Sequence, residues 1–185
     1  MPLTINTVCE EMLEQGFEYG CMAAGTSLDL ISSYTPTKMT NSILKPCAPA
    51  LHCSRINDWT DGDQTAEHVL DWYNFVTSED FQVSTYAARP LVFIKADMSK
   101  IAQVNDNRFR SEWRKTIATM PVVRWTEVGS VFAGIRVHPV ECYKHKVNDL
   151  FSMWDVDTLV VWDAACVTEV RAFRNAGEWL YEAVG

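Results

Sequence analysis

The chain has 185 residues, 48% of them hydrophobic, with seven tryptophans and a formal charge of −8. That length fits one domain, or one domain with an N-terminal appendage, and can bury a real core, while the composition excludes a disordered chain. The acidic balance argues against binding nucleic acid through a generic basic surface and leaves open a local basic pocket or a basic protein partner.

No apolar run reaches membrane-spanning length, and Met1-Pro2-Leu3-Thr4 lacks the basic and apolar regions of a secretory signal. The expected setting is cytoplasmic, without membrane contact. There the six dispersed cysteines, none in a CxxC pair, read as reduced thiols.

In chain order, Thr7-Val8-Cys9-Glu10 has capping-box spacing, and Val8, Met12 and Leu13 form an apolar stripe. The pattern predicts a helix from about Thr7 to Gln15, ending near Gly16. From Gly25 to Pro49 the chain is rich in Ser, Thr, Pro and Lys and reads as an irregular connection held by Leu28, Ile31 and Leu44. Residues 1–45 are therefore expected to form an N-terminal helical appendage, dispensable for a binding pocket in residues 46–185. A short strand follows at Ala50–Ser54. Thr65 caps a helix bearing Val69, Trp72, Tyr73 and Val76 at i, i+3, i+4 and i+7. Phe81–Tyr86 reads as a strand, and Leu91–Ile94 as a buried strand launched by Pro90. Phe109, Trp113, Ile117 and Met120, spaced four, four and three apart, predict a helix ended by Pro121. Four more strands are expected at Val122–Trp125, Val131–Val137, Leu159–Trp162 and Val167–Phe173. The sum is an α+β chain, a strand-rich domain with two to three helices.

The segment His138-Pro139-Val140-Glu141-Cys142-Tyr143-Lys144-His145 gathers His, Cys and His within eight positions. Pro139 interrupts it and no second cysteine lies at finger spacing, so it reads as a strand end and turn rather than a metal site.

Glu169 sits mid-strand in Val167-Thr168-Glu169-Val170-Arg171-Ala172-Phe173. An unpaired carboxylate is costly to bury, and a strand can aim one at a cleft with little slack. The plainer alternative is an exposed strand face on which Glu169 and Arg171, two apart, neutralise each other.

His52, Tyr86 and Glu169 fall in this order on separate strands. Leu51-His52-Cys53-Ser54-Arg55, Ser84-Thr85-Tyr86-Ala87, and Thr158–Trp162 followed by Thr168-Glu169-Val170 together resemble the NAD-dependent ADP-ribosyltransferase superfamily, in its histidine-tyrosine-glutamate branch. Leu91–Asp97 resembles a strand that follows the second motif there. The resemblance spans roughly residues 48–175. It implies a split-sheet domain, NAD as co-substrate and no metal. Glu169 would be catalytic, hydrogen-bonding the nicotinamide ribose and stabilising the positive charge that develops on the sugar. Tyr86 would stack on the nicotinamide, His52 would hold the adenosine-side ribose, and Ser54 would assist at the carboxamide. The acceptor, a protein side chain among other candidates, is not specified. Cys53 stands where the family has glycine, either weakening NAD binding or pointing away. The arginine-serine-glutamate branch offers a second alignment through Arg55 and Phe81-Gln82-Val83-Ser84-Thr85, with Arg55 and Ser84 as NAD ligands; Arg55 lies late on its strand, which favours the histidine branch.

Two other classes compete. One is a non-catalytic acidic protein that occupies a basic surface of a partner, suggested by the −8 charge and by Asp58, Asp61, Asp63 and Glu67 near Trp59. The other is a Cys-His hydrolase using Cys53 or Cys142, which no supporting Asn/Asp pattern singles out.

Overall fold

The computed structural model describes residues 1–22, 50–56, 89–117, 120–138, 150–151, 157–177 and 180–185. The chain divides into two compact units. The described part of the first comprises residues 1–22, 53–56, 89–96, 168–177 and 180–185; that of the second comprises 50–52, 97–117, 120–138, 150–151 and 157–167. Strands dominate both, with three α-helices among the described residues and strand pairing of both senses, an α+β architecture.

The first unit opens with β1 (Leu3–Thr4) and α1 (Ile5–Glu14). Thr4, not Thr7, caps α1, and its hydroxyl accepts from the Thr7 amide at 3.3 Å. The helix therefore starts two residues earlier than expected and buries Ile5 as well as Val8 and Met12. Its end follows from Gly16, at φ +81°, a conformation glycine adopts without steric cost. There the Phe17 amide donates to the Met12 carbonyl at 2.9 Å and the Gly16 amide to Leu13 at 2.9 Å. This is the paired closure of a Schellman motif, and it turns Phe17 into the core.

After it come β2 (Tyr19–Met22), β3 (Leu51–Arg55), β4 (Leu91–Ala96), β10 (Val167–Gly177) and β11 (Leu180–Ala183). The strand order is β1-β11-β10-β4-β2-β3. β2 is antiparallel to both neighbours, pairing Gly20 with Phe93 of β4 and with Ser54 of β3. Ile5, Val8, Met12, Phe17, Leu91, Phe93, Phe173 and Tyr181 form one buried cluster. The start of the chain is thus built into this unit, where the sequence suggested an appendage. A two-residue strand and a single amphipathic helix carry too little pattern to show what they pack against.

The second unit contains β5 (Ile101–Gln103), α2 (Arg108–Ser111), β6 (Arg114–Ile117), β7 (Met120–Val123), α3 (Trp125–Gly129), β8 (Gly134–Val137) and β9 (Thr158–Val161). β8 pairs antiparallel with β9 and parallel with β5; β6 and β7 form a separate hairpin. Its core gathers Phe109, Trp113, Trp125, Ile135, Phe151, Val160 and Trp162 among others. The indole of Trp162, fully buried, donates to the Phe132 carbonyl at 2.7 Å.

Here the expected helix over 109–120 fails. Only one turn forms, after which the Trp113 amide bonds back to Arg108 and the chain enters β6. Phe109 and Trp113 are buried as an i, i+4 pair, whereas Ile117 is 43% exposed. The helical period was a coincidence of four residues spread over α2, β6 and β7. Pro121, expected as a terminator, lies inside β7 opposite Thr116. Because the Arg124 amide donates to the Trp113 carbonyl, the ladder's alternation makes Thr116–Pro121 a non-hydrogen-bonded pair, where proline's missing N–H costs nothing.

Gly134 shows how closely β8 is packed. A Cβ there would strike the Val160 carbonyl oxygen and lie 2.8 Å from Ile101 Cδ1. Gly134→Ala is expected to destabilise the protein by about 1–3 kcal/mol through overpacking. Urea unfolding checks it; an unchanged midpoint would mean that β9 shifts freely.

The predicted connection over 25–49, the Thr65 helix and the Phe81–Tyr86 strand lie outside the described residues.

Candidate functional site

Glu169 projects from β10 onto the face that α1 covers. Its carboxylate meets Lys95 of β4, with Nζ 2.9 Å from Oε2, and Arg171, with a guanidinium nitrogen 3.0 Å from Oε1. Lys95 is reached because β4 lies beside β10, and Lys95 follows Phe93 on the same face. The ammonium also stands 4.5 Å from the centre of the Phe17 ring, the residue that the α1 closure turned inward. The Thr168 hydroxyl adds a 3.2 Å bond to the Lys95 carbonyl.

The hydrogen bond from Lys95 holds the Glu169 carboxyl below its ordinary range, with the charges of Lys95 and Arg171 adding to it. Glu169 is therefore an anion at neutral pH, a fixed charge rather than a proton donor. Lys95→Met is expected to raise the Glu169 titration toward the ordinary glutamate value, and Arg171→Ala to raise it less. NMR titration of the side-chain carboxyl reads both; equal shifts would show that Lys95 is not the dominant partner.

On β3, alternation sends Ser54 to the Glu169 face and Arg55 to the opposite one, where its row neighbours are Tyr19 and Ile94. The strand order separates Ser54 from Glu169 by three strand spacings, about 14 Å at ~4.8 Å each. Between them lies the buried Phe93, whose ring covers Gly20: a Cβ on that glycine would sit 2.7 Å from the ring. The structure thus does not bring Ser54 or Arg55 to Glu169. His52 is exposed and belongs to the part of β3 assigned to the second unit. Tyr86 and Ser84 lie outside the described residues.

Cys53 is fully buried and turned away from the Ser54 face. Its thiol is pushed well above the ordinary range by a hydrogen bond to Cys21 and then by burial. Burial likewise raises Cys9 to about 12 and Cys166 to about 11. None of these is a thiolate nucleophile at neutral pH, which removes Cys53 from the Cys-His alternative. Cys142 lies outside the described residues. Among those residues no His, Cys, Asp and Glu group is arranged to hold a metal, and no helix is long and apolar enough to cross a membrane.

Two charged groups that sequence reasoning passed over stand out. Lys95 was visible only as the one cation in an apolar strand. Asp157, just before β9, is 5% exposed and bonded to Arg136 at 3.0 Å, with His138 Nε2 3.8 Å away. Arg136 of β8 supplies the opposite charge that an interior carboxylate requires.

Comparison with protein-family models, curated proteins and solved structures finds no match for the chain.

Proposed function

We propose that the protein transfers ADP-ribose from NAD to an acceptor, releasing nicotinamide, with Glu169 as the catalytic carboxylate. The observation that carries this reading is the state of Glu169: a strand-borne carboxylate kept anionic by Lys95 and still about one-third exposed. Cleavage of the nicotinamide–ribose bond develops positive charge on the sugar, and a preorganised anion stabilises it without needing a proton. The reading carries with it the split-sheet domain of the resemblance, Tyr86, Ser84, Ser54 and His52 as NAD-binding residues, a cytoplasmic setting and an acceptor whose class is open. Arg55 is set aside, since its side chain leaves the opposite face of the sheet from Glu169. For ribose hydroxyls to reach the carboxylate, Arg171, the more exposed of its two cations, has to swing away.

A second reading has its own observation. Both carboxylate oxygens are engaged by cations, as on an ordinary neutralised strand face, and the chain carries −8 overall. These favour a non-catalytic acidic protein that occupies a basic surface of a partner. Incubation of the protein with NAD, with nicotinamide release followed by chromatography and binding by calorimetry, separates the two. No release and no binding would leave only the second.

A further inference from the structure

The strongest positive feature of this acidic chain is the β6–β7 hairpin. Residues 108–124 carry five cations, Arg108, Arg110, Arg114, Lys115 and Arg124, against one carboxylate, Glu112. Arg108 is bound to Asp106 at 2.6 Å and stacked 4.4 Å from the Trp113 ring centre; Arg124 is paired with Glu127 at 2.9 Å. Arg110, Arg114 and Lys115 are exposed and have no carboxylate partner among the described residues.

The hairpin is also asymmetric. Pro121, Val122 and Val123 of β7 are buried, while all four residues of β6 are exposed. β6 pairs with β7 on one side, and among the described residues no strand pairs with its other side. The ladder alternation fixed by the bond from the Arg124 amide to the Trp113 carbonyl turns Lys115 and Ile117 toward β7. The backbone N–H and C=O groups of Arg114 and Thr116 therefore point outward, and these are the groups a further strand would use.

We propose that the outer edge of β6 binds an extended acidic peptide segment of a partner protein by strand addition. Main-chain bonds to Arg114 and Thr116 supply register, Arg110, Arg114 and Lys115 supply charge complementarity, and Ile117 offers an apolar contact at the strand end. Charges on an open edge commonly serve to repel other strands. Cations repel basic strands and attract an acidic one, so the same device that limits edge-to-edge pairing between copies of this basic strand selects this ligand. The inference is independent of NAD chemistry.

The test is fluorescence anisotropy of the whole protein with a labelled peptide of alternating glutamate and valine. Binding is expected, weakening with added salt and falling about ten-fold, equivalent to about 1.4 kcal/mol, in an Arg114→Gln, Lys115→Gln double variant of unchanged circular dichroism. The same peptide N-methylated at every residue keeps its charge and loses the main-chain donors of both edges; its binding is expected to fall by a similar factor or more. Equal binding of the methylated peptide would overturn strand addition. So would tighter binding of a single-stranded oligonucleotide than of the peptide, or no peptide binding at all.

Discussion

Glu169→Gln is expected to lower nicotinamide release from NAD by about a hundred-fold or more while leaving the fold intact. The magnitude is that of removing one preorganised electrostatic contact from a transition state. Glutamine keeps the shape and hydrogen-bonding capacity of the side chain, so the change isolates charge. The loss should fall mainly on kcat, because the oxocarbenium character that the carboxylate stabilises is absent in bound NAD. Stability should barely move. Glu169 is about one-third exposed, and solvent screens ion pairs of such exposure, so they add little to stability. Full turnover in Glu169→Gln would remove Glu169 as the catalytic carboxylate. A large drop in thermal stability would instead mark the Lys95–Glu169–Arg171 contact as structural.

The part of the site that sequence made visible was the lone carboxylate in an apolar strand, and its neighbour Arg171 two positions on. Lys95 was not visible as its partner, because that pairing depends on β10 lying next to β4, and strand order is a property of the whole unit. The same division holds for the fold. Leu91–Ile94 and Leu159–Trp162 were legible because a buried strand is a run of apolar, β-branched or aromatic residues, and Val167–Phe173 because its apolar residues are interleaved with polar ones on a half-exposed strand. β1 and β11 were missed: they are short, and what completes them is pairing with each other, Leu3 with Tyr181. The helix expected over 109–120 was the opposite error. Two aromatic residues four apart do pack together, with ring centres 4.9 Å apart, but they belong to one turn of helix and the start of a hairpin.

Removing residues 1–22 is expected to unfold the first unit, although the sequence pattern suggested that an NAD pocket would survive the loss of the first 45. Deletion takes away Ile5, Val8, Met12, Phe17 and Tyr19, each 4% exposed or less. Burial of such side chains is worth about 1.5–3 kcal/mol apiece, so their sum, on the order of 10 kcal/mol, equals the whole stability of an ordinary domain. It also withdraws β2 from between β4 and β3, opening ladders on both strands, and removes the aromatic ring beneath Lys95. A milder version isolates packing from sheet pairing. Met12→Ala, on the buried face of α1, is expected to cost about 2–5 kcal/mol while leaving every strand in place. Urea unfolding followed by far-ultraviolet circular dichroism reads both. A shortened chain that stays soluble with its strand signal and a cooperative transition would show that α1 and β2 are peripheral. Loss of the transition, with Met12→Ala destabilised but folded, would show that the first turns of the chain complete the core on which Glu169 and Lys95 are mounted.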